Sequence, residues 1–341
     1  MSKEQLDCLP FRYPTTVFLI DDSADFLYNF SFQLDEDQPV RTFTSPHKAL
    51  EVLLEERVDP RLERRNFVLE HKQHYGHPTL EHVIGLDLSA IYLQMYRQKR
   101  FAEPSVVIVD YQMEEMNGLD VCRRLVDTPI KRILLTGQAD ATTAVTAFND
   151  GLIDRFVYKN LPNTLELINS YIRELEYQYF RDASSILIRA LSAETPSLLQ
   201  DAGFIEFFRG YRRQHQICEH YLVANPSGFL MLDRHARARL MLVMTEEELD
   251  IQRRVASDEG APMELLDALR DGDRLPFFHA GDGFYRQGLV DWEAALHPAR
   301  RLRGETNNYL YAVLDDTTPY NTAAGTVPSL VDYLDHDANG R

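Results

Sequence analysis

Short apolar runs alternate with amphipathic stretches from Thr15 to about Lys159, the pattern of βα units wound around a parallel sheet. Three runs are clear strands: Val17-Phe18-Leu19-Ile20, Val106-Val107-Ile108-Val109 and Ile133-Leu134-Leu135. Each is apolar without interruption, as strands buried on both faces are, and each ends in a polar residue: Asp21, Asp110 and Thr136. In an open doubly wound sheet the carboxyl ends of the central strands meet at one crevice, so these groups are expected to converge.

Between the helix near Ser45 to Glu56 and the strand at Val106 lies a segment roughly forty residues longer than a short αβ connection requires. Its halves, about Pro60 to Tyr75 and Leu80 to Phe101, have helical apolar spacing and flank Gly76-His77-Pro78. They predict an inserted helical hairpin over about 58–102.

After Pro162 no Gly or Pro occurs until Pro196, and Leu165, Ile168, Ile172, Leu175, Tyr179 and Ile186 fall largely at alternating three- and four-residue steps. This heptad-like seam fits either a parallel dimeric coiled coil or a helix packed on its own domain. A long connecting helix over 163–202 is expected.

Beyond Gly203 the pattern changes to that of a small α+β domain. Tyr221-Leu222-Val223 and Phe229-Leu230-Met231-Leu232 flank the turn Asn225-Pro226-Ser227-Gly228, as in a hairpin, and a third run spans Leu240 to Met244. Thr245-Glu246-Glu247-Glu248 has the cap and third-position glutamate that open a helix, and Tyr309 to Leu314 supplies a last strand.

The 341 residues, 44% hydrophobic, are enough for two separately cored domains. A formal charge of −17 repels nucleic acid and anionic membranes at long range and favours protein partners. Cys8, Cys122 and Cys218 are too scattered for a disulfide framework or metal knuckle and read as packing or surface thiols of a reducing compartment. No run approaches the roughly 18 apolar residues of a membrane span, and the charged start (Lys3, Glu4, Asp7) does not resemble a leader, so a cytoplasmic protein is expected.

Asp21, Asp22 and Asp110 form the kind of hard oxygen cluster that Mg2+ prefers. The Thr136 hydroxyl and the Lys159 ammonium, the latter ending the run Phe156-Val157-Tyr158, are suited to phosphoryl oxygens, and Gly137 leaves room for them. A nucleophilic carboxylate, a cation site and fixed donors are what phosphoryl transfer to a protein needs.

Ile20-Asp21-Asp22, Val109-Asp110, Met113, Met116-Asn117-Gly118, Leu135-Thr136-Gly137 and Phe156-Val157-Tyr158-Lys159 resemble, in order and spacing, the receiver domain of response regulators. Ala147 to Asp154 resembles the receiver segment that leads into the lysine strand. The resemblance implies that a sensor histidine kinase or small phosphodonor phosphorylates Asp110, with Mg2+ held by Asp21, Asp22, Asp110 and the backbone carbonyl of Gln112. It also implies that Thr136 and Lys159 sense the phosphoryl group, that Thr136 and Phe156 form the switch, and that the face of the fourth helix, fifth strand and fifth helix responds.

The expected fold is therefore α/β, a doubly wound (βα)5 parallel-sheet receiver domain (13–162) with a helical insertion, joined by the long helix to a C-terminal α+β domain (203–341). In element order that second domain vaguely resembles a PAS-type module. Expected partners are the kinase, a second copy on phosphorylation and a downstream protein, with DNA as the alternative and no membrane insertion.

Two departures stand out: Glu114 and Asn160 occupy positions where receivers usually have proline. Other features read as ordinary surface or core. His71, His74 and His77, near Glu70, Glu81 and His82, cannot all share one helix face as a metal site. Arg234, Arg237 and Arg239 beside His235, with Arg300, Arg301 and Arg303, are the best basic clusters, yet acids surround them. Phe277, Phe278, Phe284, Tyr285 and Trp292 suit a core better than a cofactor pocket. No glycine-rich phosphate loop, nucleophile elbow or paired-histidine motif after residue 200 marks an output enzyme.

Overall fold

The computed structural model describes residues 8–55, 67–72, 81–137, 141–159, 162–191, 198–224, 227–279, 283–323 and 325–338. In chain order its first strands are β1 (Phe11–Arg12), β2 (Thr16–Ile20), β3 (Val40–Phe43), β4 (Phe67–Lys72), β5 (Glu81–Leu86), β6 (Pro104–Asp110), β7 (Lys131–Thr136) and β8 (Arg155–Tyr158). The later strands are β9 (Ile217–Val223), β10 (Gly228–Asp233), β11 (Ala238–Thr245), β12 (Arg274–Pro276), β13 (Leu296–Pro298), β14 (Arg300–Arg303) and β15 (Asn308–Leu314). Helices α1 (Ala24–Ser31), α2 (Pro46–Glu55), α3 (Ser89–Tyr92), α4 (Gly118–Arg124), α5 (Ala141–Asn149) and α6 (Thr164–Ala183) precede α7 (Ser185–Leu191), α8 (Ala202–Gln214), α9 (Glu246–Asp258), α10 (Met263–Asp271) and α11 (Leu330–Ala338).

The chain forms two compact units. One comprises Tyr13–Pro60, Gln98–Ser185 and His336–Arg341; the other comprises Met1–Arg12, Arg61–Arg97 and Ile186–Asp335.

In the first unit β3-β2-β6-β7-β8 form a five-stranded sheet whose neighbours are all parallel. Counted within the sheet this is the order 2-1-3-4-5, which reverses direction between β2 and β6 and so opens its crevice there. The apolar runs divide by alternation between two cores. Phe18, Ile20, Val107, Val109 and Leu134 pack under α2, α4 and α5 through Leu50, Leu53, Val121, Cys122 and Ala147. Val17, Leu19, Val106, Ile108, Ile133 and Leu135 pack under α1 and α6 through Leu27, Phe30, Ile168, Ile172 and Leu175. Each such side chain contributes about 1.5–3 kcal/mol on burial, which is why continuous apolar strands go to the sheet centre.

The seam Ile168, Ile172, Leu175 and Tyr179 is buried within this unit, with Ile168 and Leu175 at 0% exposure. It is therefore not a free coiled-coil stripe, and the expected continuous helix over 163–202 is corrected. α6 ends at Ala183, where the Ser184 hydroxyl donates to the Phe180 carbonyl at 2.6 Å, and the separate helix α7 follows. A heptad-like spacing serves equally to bury one helix face against a sheet, and the apolar sheet wins here.

The insertion also departs from expectation. Its described residues include an antiparallel hairpin, β4 with β5, in register from Phe67↔Leu86 to Lys72↔Glu81. Among the described residues of the insertion, helical structure is limited to α3 and the 3-10 turn Leu93–Tyr96. Two short runs with Val68-Leu69 and Val83-Ile84 at their centres, on either side of a polar, Gly-Pro-containing stretch, suit paired strands better than helices too short to stand alone. Residues 61–97 belong to the second unit, where Tyr92 packs edge-on to Tyr320 at 5.3 Å and the Tyr96 hydroxyl donates to the Tyr320 carbonyl.

The second unit is built on the antiparallel sheet β1-β9-β10-β11-β15-β14. The β9–β10 hairpin pairs Val223 with Gly228, where a Cβ would approach the Met241 carbonyl oxygen to 2.0 Å. Thr245 and Glu248 form the reciprocal capping box that opens α9. α8 lays Phe208 against Phe229 at 4.5 Å, and its N-cap Asp201 ties it to the β14–β15 loop by accepting from Glu305 N, Thr306 N and Thr306 Oγ1.

Candidate phosphoacceptor site

β2 and β6 flank the reversal point of the parallel sheet, and each delivers a carboxylate there. Asp21 follows the last residue of β2 and Asp110 is the last residue of β6; they are 2% and 7% exposed. Asp22 is exposed beside them. One carboxylate oxygen from each of the three residues lies within 4.8 Å of the others. Three hard oxygens so close repel one another unless a cation intervenes, and the donor set fits Mg2+.

Lys159 supplies positive charge. Its Nζ lies 2.7 Å from Asp21 Oδ2 and 2.9 Å from Asp110 Oδ1, and 4.6 Å from the centre of the Phe26 ring. Burial pushes the Asp110 pKa up, and this outweighs the lowering by Lys159. Burial pulls Lys159 down, yet its hydrogen bonds to Asp21 and Asp110 leave its pKa raised.

The surrounding loops fix these groups. Ser23 N donates to Asp21 Oδ1 at 2.9 Å, while Ser23 Oγ caps α1 by accepting from Phe26 N. Glu114 N donates to Asp22 Oδ2 at 3.1 Å. The turn after Asp110 closes through Gly118 N to the Tyr111 carbonyl at 3.0 Å. A Cβ at Gly118 would come within 2.2 Å of the Asp110 carbonyl oxygen.

Thr136 ends β7 with 0% exposure, its hydroxyl donating to the Gly137 carbonyl at 3.1 Å. Lys159 N donates to the Thr136 carbonyl at 3.1 Å, joining the two residues through the backbone as well. Phe156, on β8, is half-buried and meets Phe148 of α5 edge-on at 6.5 Å. Gln112 lies in the exposed loop two residues beyond Asp110.

The sheet thus gathers Asp21, Asp22, Asp110 and Lys159, with Thr136 at an adjacent strand end. Phe26 and the Glu114 N–H were not singled out by the sequence. The Glu114 departure was visible, but its consequence depends on where Asp22 points. The other departure, Asn160, lies outside the described residues, as do the side chains of Glu70, His71, His74, His77, Glu81 and His82.

The remaining sequence features have ordinary settings. Arg237 pairs with Asp233, Arg239 with Asp315 and Arg301 with Glu246. Phe277, Phe278 and Phe284 line an open cavity of about 680 Å³, Tyr285 is buried against Phe278, and Trp292 precedes a 3-10 turn. Cys122 is buried in the core, its thiol pushed up to about 12 by burial. Among the described residues no helix is long and apolar enough to cross a membrane.

Residues 83–171 match the family described as Response regulator receiver domain. The Legionella pneumophila response regulator LqsR, a solved structure, is 35% identical to this chain, covers 96% of it and 95% of its own length, and superposes with a TM-score of 0.78. The chain belongs to the response regulators.

The family match to this response regulator starts within the insertion, so it leaves out β2, Asp21 and Asp22, which the parallel sheet brings back beside Asp110. An adenylate cyclase structure from Rhodopirellula baltica is 21% identical over 53% of this chain and 99% of its own, with a TM-score of 0.35. A receiver domain protein from Clostridium thermocellum is 19% identical over 51% of this chain and 98% of its own, with a TM-score of 0.30. Both resemblances are too weak to bear on function. Curated protein sequences give no match.

Proposed function

We propose that this response regulator accepts a phosphoryl group on Asp110 from a sensor histidine kinase and passes the signal on through protein contacts of its second unit. The observation that carries the reading is the convergence of Asp21, Asp22 and Asp110 within 4.8 Å at the reversal point of the sheet, with Lys159 bridging two of them.

In the transfer, an ionised Asp110 oxygen attacks phosphorus, the phosphorus–nitrogen bond of the donor phosphohistidine breaks, and the departing imidazole takes a proton from water. The product is an acyl phosphate on Asp110. Mg2+ bound by Asp21, Asp22, Asp110 and the backbone carbonyl of Gln112 would supply charge neutralisation for the phosphoryl oxygens. Lys159 then pairs with the new dianion, and the Thr136 hydroxyl turns from the Gly137 carbonyl to donate to it. Phe156, in ring contact with Phe148 of α5, follows the space that Thr136 leaves. The outcome is a population shift between two arrangements, as large as the difference in their contacts allows.

For the output, protein contact is favoured over DNA because Arg237, Arg239 and Arg301 of the basic clusters pair with acids and the net charge is −17. The assignment divides the chain into a receiver unit and an output unit that includes residues 61–97, and it places the protein in the cytoplasm with its kinase. The seam of α6 is used inside the receiver unit, so dimer formation on phosphorylation would use another surface.

Beryllofluoride titration in Mg2+ tests the acceptor assignment: the native chain binds it and Asp110→Asn does not. Fluorescence anisotropy with duplex DNA at low salt tests the output assignment. No salt-sensitive binding is expected, and binding that weakens steeply with salt would favour the DNA reading.

A further inference from the structure

Phe26 occupies the first turn of α1, and two contacts fix its place. Its N–H is held by Ser23 Oγ at 3.2 Å, and its ring stacks on Phe30 at 5.2 Å with an interplanar angle of 19°. Phe30, 5% exposed, belongs to the core beneath β2 and β6, so the Phe26 ring is backed by a rigid layer. The Lys159 ammonium stands 4.6 Å from the ring centre, and it also reaches Asp21 Oδ2 and Asp110 Oδ1. An ammonium is attracted by the negative face of an aromatic ring, more so when partly desolvated, and the Lys159 side chain is only 26% exposed.

We propose that Phe26 is a positioning residue for Lys159, holding its ammonium across Asp21 and Asp110 and thereby lowering the affinity of the acidic cluster for Mg2+. The inference rests on the reading of this cluster as the Mg2+ and phosphoacceptor site. A divalent ion shared by Asp21 and Asp110 competes with the ammonium for the same carboxylates. Every contact that favours the ammonium in that place opposes the ion, and the ring face is one such contact that the carboxylates do not supply. Phe26 thus sets how far the site is self-neutralised before the ion arrives.

The test is calorimetric Mg2+ titration of the full chain with Phe26 native, Phe26→Leu and Phe26→Tyr, each checked for folding by circular dichroism. Leucine keeps apolar bulk without a ring face, whereas tyrosine keeps the ring. Mg2+ affinity should rise about two- to fivefold in Phe26→Leu, the range of a partly exposed cation–π contact, and stay near native in Phe26→Tyr. The Lys159 ε-methylene resonances, shifted by the ring in the native chain, should lose that shift only in the leucine variant. Native binding of Mg2+ with an unchanged constant in Phe26→Leu overturns this inference and leaves the reading of the site standing. Failure of the native chain to bind Mg2+ overturns both.

Discussion

The backbone N–H of Glu114 donates to Asp22 Oδ2 at 3.1 Å, at a position where receivers usually carry proline, which has no N–H to give. The departure from the receiver pattern therefore restrains the most exposed of the three carboxylates. Glu114→Pro should weaken Mg2+ binding about threefold, the scale of one net hydrogen bond, while Glu114→Ala, which keeps the N–H, should bind as the native chain does. Calorimetry on the pair decides it, and equal constants would show that the N–H is incidental.

Asp110 is predicted to destabilise its own unit when no cation is bound. Its folded-state pKa is raised by burial above the unfolded value, so the carboxylate carries a penalty at neutral pH that is relieved as pH falls through the folded value. Asp110→Asn should raise the Tm of the receiver unit at pH 7 without Mg2+, because it removes the buried charge. That gain should shrink on acidification. A Tm lowered by the substitution would mean that the Lys159 contact outweighs the burial of charge.

Gly118 is required by close approach rather than by a special backbone angle. Gly118→Ala places a methyl group within 2.2 Å of the Asp110 carbonyl oxygen, a backbone atom that cannot swing aside, and should cost about 1–3 kcal/mol while displacing Asp110 from Asp21. Chemical denaturation measures the first effect and Mg2+ affinity the second. A variant of native stability would contradict the packing described for this turn.

Asp201 should carry a pH-dependent share of the second unit's stability. Burial raises its pKa, but hydrogen bonds from Thr306, Phe204 and Glu305 outweigh this and hold it well below the usual carboxylate range. The stability it contributes is full above the unfolded carboxylate pKa and is lost as pH falls through the lower folded value. Asp201→Ala should cost about 2–3 kcal/mol at pH 7, a helix cap together with charge-assisted bonds, and less in strong acid. Trp292, the single tryptophan, lies in this unit, so its fluorescence follows the transition.

Much of the receiver unit was legible because its physics is local. Val17 to Ile20, Val106 to Val109 and Ile133 to Leu135 are continuous apolar runs with polar ends, and a parallel sheet allows those ends only one common side. The β9–β10 hairpin and the Thr245 cap were legible for the same reason, each being written in a few adjacent residues.

Where the reading failed, the answer lay in distant partners. Leu165 to Tyr179 has a spacing that suits a coiled coil or a sheet-covering helix, and only the apolar face of β6 and β7 decides between them. The insertion's short runs around Val68 and Val83 are ambiguous in isolation, and their pairing in register makes them strands. Phe26 reads as an ordinary core aromatic until the chain returns at Lys159 and sets an ammonium over its ring.

The central claim is that Asp110 is the phosphoacceptor, and intact-protein mass spectrometry tests it most directly. The native chain and Asp110→Asn would be incubated with Mg2+ and a small phosphodonor such as acetyl phosphate, then split by brief alkaline treatment to release acyl phosphates. The account predicts a mass increase of one phosphoryl group on the native chain only, lost after alkali. An equal increase on Asp110→Asn, or none on the native chain, would contradict it.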